Sequence, residues 1–438
     1  MGHDHSRPVA AAPPRVRRIL IATVVPLFLL SVVAALVLWP RDTAQVPGGE
    51  DVPRYHGTVS RLVTETCPPT PEDPDGGEGP CGTATVSVDT GPDAGRQVET
   101  PIPAGPGAPK VDVGDKVVLV VLTDPTDPTV SNYSIAAHQR GKPLVWLALV
   151  FAVAIVAFGR WRGLAALGGL VVSFGILLLF VLPGIGAGQS PLPVAITGAA
   201  LIMFVVLYLT HGISAQTSVA VLGTLASLVL TGILGVLATA FTHLTGHGSE
   251  DATTLSMFQA DVDLHGLLLA GIIIGSLGVL DDVTVTQAAT VTELAHANPN
   301  LTRLQLYRAA TRVGRAHIAS TVNTIVLAYA GASLPLLLLI TADTRGVSEI
   351  VTSEFLAQEI VRSIVATLGL IAAVPITTGL AALVTTAGRG RPTTTRPPRP
   401  TGDRDDALAA LSTPRGTTEP ADTPAAWPTR QRSTDTTW

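Results

Sequence analysis

Between Arg162 and Arg303 the chain carries no lysine or arginine, and its only acids there are Glu250, Asp251, Asp261, Asp263, Asp281, Asp282 and Glu293. A soluble domain of that length cannot cover its surface with so little charge. The interval therefore reads as chain solvated by lipid. The whole 438-residue sequence agrees, with 14% charged residues against about 25% in soluble domains. A net charge of −5 and an aromatic content of 4% argue against a nucleic-acid partner, which needs basic surface and stacking rings. Two cysteines are too few for a multi-cysteine zinc site or an iron-sulfur cluster, and no cofactor is expected.

A spanning helix needs about 20 mostly apolar residues. Eight stretches qualify: 19–39, 143–158, 164–182, 194–209, 219–241, 264–280, 318–340 and 363–384. The first follows Arg15, Arg17 and Arg18, but its apolar core is longer than a signal-peptide core and no good cleavage site follows. It reads as an uncleaved anchor. Cytoplasmic loops carry the excess of Lys and Arg; with the N-terminus inside, the inner segments sum to +8 and the outer ones to −13. The expected fold class is thus a polytopic α-helical membrane protein of about eight transmembrane helices, with both termini cytoplasmic in a bacterial cell membrane. Its parts are a tail (1–18), an anchor (19–39), an extracytoplasmic β-rich domain (41–142), a seven-helix membrane domain (143–384) and a disordered cytoplasmic tail (385–438).

Segment 41–142 alternates in the strand manner at 55–64, 83–89, 97–102 and 111–122, with Gly, Pro and Asp between the runs. A small, partly closed barrel is the expectation. Cys67 and Cys81 bracket a Pro/Gly/acid loop, and in an oxidising compartment a disulfide closing it is the natural reading. After Val384 the chain is Thr/Pro/Arg-rich and cannot bury a core. His3 and His5 at the start, and His243, His247 and His265 among the acids of 250–263, match no defined metal motif. Those segments read as a free end and a solvated acidic loop, and no metal site is assigned.

Polar groups within a membrane are costly and are functional candidates by default. The densest cluster follows the sixth span, where no helix breaker precedes Pro299. On one continued helix, Asp282, Thr286, Thr290 and Glu293 share a face, an oxygen stripe suited to protons or hard cations. The bland alternative is a helix leaving the bilayer, with Asp281 and Asp282 marking the interface. Gly271, Gly275 and Gly278 precede the stripe and allow a close helix approach, and Asn323 and Thr324 on the next span are available polar partners. Segment 301–317 reads as an amphipathic surface helix with Arg308, Arg312 and Arg315 at the headgroups; a sharper alternative pairs Arg315 with Asp282 or Glu293 as a gate. Pro335 and Pro375 are expected kinks.

Two motifs carry a resemblance: Gly278-Val-Leu-Asp281-Asp282-Val-Thr-Val-Thr286-Gln-Ala-Ala-Thr290-Val-Thr-Glu293-Leu, then Val313-Gly-Arg315-x5-Thr321-Val-Asn323-Thr324. The pair resembles the signature of the YibE/F family of bacterial integral membrane proteins over most of 140–385. The resemblance carries over Asp282, Thr286, Glu293, Arg315, Asn323 and Thr324. Asp281 is an extra acid, and Thr284 and Gln287 stand where the pattern has apolar residues. The resemblance implies the architecture and brings no activity with it.

Three function classes follow. The first is a transporter or permease passing a cation or proton along the Asp/Thr/Glu stripe, with the lipid bilayer as its setting and a homo-oligomer compatible with it. The second is a non-transporting scaffold whose external β domain binds an envelope partner. The third, an enzyme, finds no nucleophile elbow, zinc-protease helix or phosphate loop in the chain. Gly184-Ile-Gly-Ala-Gly188 only looks like a phosphate loop, since no strand precedes it and it has no Lys.

Overall fold

The computed structural model describes residues 13–41, 53–66, 80–103, 108–123, 131–248, 250–259, 262–335, 337–338 and 346–387. In chain order, α1 (Pro14–Val37) is followed by five strands, β1 (Arg54–Thr66), β2 (Pro80–Val88), β3 (Gln97–Pro101), β4 (Lys116–Thr123) and β5 (Ser131–His138). Helices then continue as α2 (Gly141–Ile176), a π-helical turn (Leu177–Val181), α3 (Leu182–Gly186), α4 (Pro191–His211) and α5 (Ala215–Phe241). The last are α6 (Glu250–Phe258), α7 (Leu264–Ala297), α8 (Arg303–Ala332), α9 (Val347–Val351) and α10 (Glu354–Thr386).

The strands form one antiparallel sheet in the order β3-β2-β1-β4-β5. Alternate residues Val117, Leu119 and Val121 of β4 point inward against Val59, Val86, Val88 and Ile135, as a period of two requires. Register shifts at Val59/Arg61 and Val118/Leu119 bend the sheet in the way bulges do. Its edge strands then meet, because the buried Thr100 hydroxyl of β3 donates to the Tyr133 carbonyl of β5 at 2.8 Å. The result is a small half-barrel, close to the partly closed barrel expected. Cys81 is the second residue of β2 and pairs in register with Glu65; Cys67 lies outside the described residues. Peptide mapping without reductant should recover residues 67 and 81 joined. In the loop-entropy picture that closure is worth about 3 kcal/mol, and alkylation of both thiols in the native protein would refute it.

Asp93 accepts hydrogen bonds from the Tyr133 hydroxyl at 2.5 Å and from Arg96 Nη1 at 2.8 Å. The Tyr133 bond first, and Arg96 second, hold its carboxyl below the usual range. Tyr133 moves the other way, up to about 12, through burial first and the bond to Asp93 second. A raised pKa means that Tyr133 contributes stability in full below 10.0 and loses it as pH rises towards about 12. Asp93 contributes above its unfolded value of 3.8 and loses its contribution as pH falls through the folded pKa. Phenolate absorbance should show one late-ionising tyrosine among the five, and Tyr133→Phe should remove it; uniform ionisation near 10 would contradict the geometry.

Six described helices or helical segments are long and apolar enough to cross a membrane: Pro14–Val37, Gly141–Gly186, Pro191–His211, Ala215–Phe241, Leu264–Ala297 and Glu354–Thr386. The second combines the stretches 143–158 and 164–182 expected separately. At its middle Arg160 leaves helical geometry (φ 52°, ψ −128°). A Cβ on Gly163 would strike the Ile155 carbonyl, so the chain doubles back there. The expected surface helix 301–317 and the span 318–340 are, through Ala332, one continuous helix, α8, which is not among the six. Its first half carries four arginines, and this dilutes the apolar half. The break before α8 is chemical, since Asn298 ends α7 ahead of Pro299. Thr302 and Gln305 then form a reciprocal capping box.

Lipid offers helices no hydrophobic gain for associating, so they pack through small residues. A Cβ at Gly223 of α5 would collide with Thr377 of α10, and one at Gly369 of α10 with Thr231 of α5. A Cβ at Gly314 of α8 would lie 2.5 Å from Gln287 Nε2 and 2.7 Å from Val374 Cγ1. These glycines set the α5/α7/α8/α10 bundle at close range. The hydroxyls of Thr224, Ser227, Thr231 and Thr239 on α5 donate to carbonyls one turn back, which satisfies them without water.

Candidate functional site

Helix α7 runs unbroken past its apolar half, so Asp282, Thr286, Thr290 and Glu293 do share a face. That face looks outward: Asp282 and Glu293 are exposed and the two threonines half-buried. The Thr290 hydroxyl is spent on the Thr286 carbonyl at 2.8 Å. The buried face is the opposite one, through Leu280, Val283, Thr284, Gln287, Ala288 and Val291. Thr284 and Gln287 are therefore interior.

Both find partners on other helices. Thr284 Oγ1 lies 2.6 Å from Thr224 Oγ1 of α5 and donates to the Asp281 carbonyl at 3.0 Å. Gln287 Oε1 accepts from Thr378 Oγ1 of α10 at 2.9 Å. Together with Gly314 against Gln287 and Gly223 against Thr377, these contacts place one polar layer at a single level of the bundle. Above it sits an apolar cluster including Leu277, Leu280, Ile325 and Leu370. Below it a second cluster, with Val291, Leu306, Ala310 and Ala381, closes the end of the bundle.

Within this layer the hydrogen bonding is incomplete. Among the described residues eight buried side-chain polar atoms lack a partner, and five belong here: Asp281 Oδ1, Gln287 Nε2, Thr311 Oγ1, His317 Nε2 and Thr377 Oγ1. Buried polar groups are almost always paired with protein or ordered water. The set runs from Asp281 to Gln287 on α7 and from Thr311 to His317 on α8, about 9 Å along each helix, and such a leftover set marks a stretch suited to hydration or to a bound ion.

His317 of α8 brings Nε2 to 3.8 Å from Asp282 Oδ2, too long for a direct hydrogen bond and short enough for one intervening group. Sequence reasoning offered Asn323 and Thr324 as the partners of this region. Instead the antiparallel register set by Gly314 on Gln287 carries both further along α8, where they are exposed and Thr324 bonds back to the Ser320 carbonyl at 3.1 Å. Arg315 is exposed, and among the described residues it forms no ion pair with Asp282 or Glu293. The acid partner on α8 is the histidine two residues on.

Away from Asp282 towards the N-terminus of α7, the outward face is glycine. Among the described residues, a Cβ at Gly271 would meet only Arg362 Nη2, at 3.9 Å, one at Gly275 only the Tyr329 hydroxyl, at 3.4 Å, and one at Gly278 nothing within 4 Å. These residues make an open track floored by backbone, with polar tips from α8 and α10 over it. Arg362 pairs with Glu359 at 2.8 Å, both partly buried. Both fall ahead of the expected span 363–384 and lie on α10, which begins at Glu354. The Glu354 carboxylate anchors that start by accepting from the Thr245 and Gly246 amides at 2.7 and 3.0 Å. The i, i+3 spacing of Glu359 and Arg362 was the available signal for a helical pair.

A family model described as YibE/F-like protein matches residues 147–387. No curated protein and no solved structure matches the chain.

Proposed function

The chain belongs to the YibE/F-like family, and on that footing we propose that it is a multi-pass membrane transporter passing a proton or cation along the glycine face of α7 to Asp281, Asp282 and His317. The observation that carries this reading is the concentration of partnerless buried polar atoms around those side chains. Asp281 is the inward acceptor, half-buried beside the Thr284–Thr224 pair. Asp282 and His317 form its more exposed neighbour pair. The Arg362 guanidinium over Gly271 is neutralised by Glu359, so the charge on the track does not choose between a proton and a metal cation.

The membrane arrangement that goes with this reading has eight crossings. The apolar segment of 46 residues would be about 69 Å long as one straight helix, against a hydrocarbon core of about 30 Å, and the reversal at Arg160 divides it in two. Helix α8, antiparallel to α7 from Gly314 opposite Gln287 to Tyr329 opposite Gly275, supplies another crossing. In this reading both termini are cytoplasmic in a bacterial cell membrane and the half-barrel is outside, the orientation that the charge asymmetry favours.

Proteoliposomes with a trapped pH dye test the reading, with flux expected from wild type and little from Asp281→Asn. A scaffold that binds an envelope partner through the half-barrel instead predicts no flux from either protein, and a phenotype lost only when 41–142 is deleted.

A further inference from the structure

We propose that a groove between α1 and α4 binds one acyl chain of an anionic phospholipid from the leaflet at the N-terminal end of α1. The groove is a cavity of about 390 Å³ whose walls include Ile21, Val25 and Phe28 of α1 and Phe204 and Tyr208 of α4, with Ser218 of α5. Phe28 and Phe204 meet edge to face at 5.4 Å between ring centres, and this contact ends the groove on the deep side. At the other end the Tyr208 hydroxyl and Ser218 Oγ lie 3.0 Å apart, the one polar spot on an apolar wall. A lipid ester or glycerol oxygen fits there, while the tail lies along α1.

Charge complementarity selects the headgroup. On a helix Arg17, Ile21, Val25 and Phe28 follow i, i+4, i+8 and i+11 and share one face, so Arg17 stands one turn outside the groove on the wall that lines it. Arg15 and Arg18 flank it, and all three are exposed. An anionic phosphate at this mouth would meet guanidinium groups able to bind it bidentately. None of the residues lining the groove belongs to the proposed proton path, so the site does not depend on the transport reading.

The full-length protein in mild detergent micelles would be photolabelled with phosphatidylglycerol bearing a diazirine in its acyl chain, and separately with the matching phosphatidylcholine. The phosphatidylglycerol probe should label peptides holding residues 21–28 and 204–208 at least fivefold more than the choline probe. Val25→Trp, which fills the groove, and Ile213→Trp at its mouth should each cut that yield at least fivefold, and Arg17→Gln should reduce it to the choline level. Equal yields from the two probes, labelling spread evenly over outward apolar positions such as 144–156, or undiminished yield in both tryptophan variants would overturn the proposal. The thermal midpoint of each variant separates loss of the site from loss of the fold.

Discussion

Asp281→Asn is expected to lower protein-dependent proton flux in proteoliposomes at least tenfold, while Glu293→Gln stays within about twofold of wild type. The two acids belong to one helix and one sequence motif, so sequence alone gives no reason to separate them. The structure does. Asp281 turns one carboxylate oxygen into the buried layer, where it has no partner, and Glu293 is exposed three turns further on, beside the lower apolar cluster. Asparagine keeps the size and shape of Asp281, removes its titration and charge, and exchanges one acceptor oxygen for an NH2 donor, so a loss of flux at an unchanged melting point reads as chemistry. Asp282→Asn and His317→Gln should give intermediate losses, since these two side chains lie 3.8 Å apart at the layer's edge and act in series with it. Comparable losses in Asp281→Asn and Glu293→Gln would return the carboxylates to a merely electrostatic or interfacial role.

The second large effect concerns assembly. Gly369→Val places side-chain atoms where Thr231 of α5 already sits, and overpacking of this kind costs about 1–3 kcal/mol. Detergent-solubilised protein should melt several degrees lower. The smaller change Gly369→Ala should be destabilising alone and largely repaired by Thr231→Ala, because the two positions share the same space and are coupled. Additive effects in that double variant would mean that α5 and α10 are not in register at this level. Gly379→Ala on the same helix, where a Cβ would meet nothing within 4 Å among the described residues, is the control and should not be destabilising.

Much of this architecture was legible because a bilayer imposes length and apolarity on each crossing. The spans 194–209 and 219–241, and the apolar 264–280, reappear inside α4, α5 and α7 with ends shifted by a few residues. Strand alternation in 41–142 likewise revealed the half-barrel, though not its seam, which rests on a Thr100–Tyr133 contact between strands far apart in the chain. Helix α8 was divided wrongly because Arg308, Arg312 and Arg315 make its first half look like a surface helix; the helix accommodates them by facing them outward. On α7 the polar residues are spread around the whole circumference, so periodicity could identify a face but not say which way it pointed. The interior role of Thr284 and Gln287 depends on Thr224 and Thr378, partners 60 and 91 positions away, and no pattern within one helix reports such a pairing. The expected span 363–384 starts nine residues late because the charges of Glu354, Glu359 and Arg362 mask the start of a helix that begins at Glu354 and that the Thr245–Gly246 amides hold in place.

Flux by the wild-type protein itself tests the central claim most directly. Proteoliposomes with an internal pH dye, an imposed proton gradient and a potential clamp should change internal pH at a rate proportional to the protein reconstituted and well above that of empty vesicles. No protein-dependent movement of protons, nor of any monovalent or divalent cation tried in the same vesicles, would contradict it.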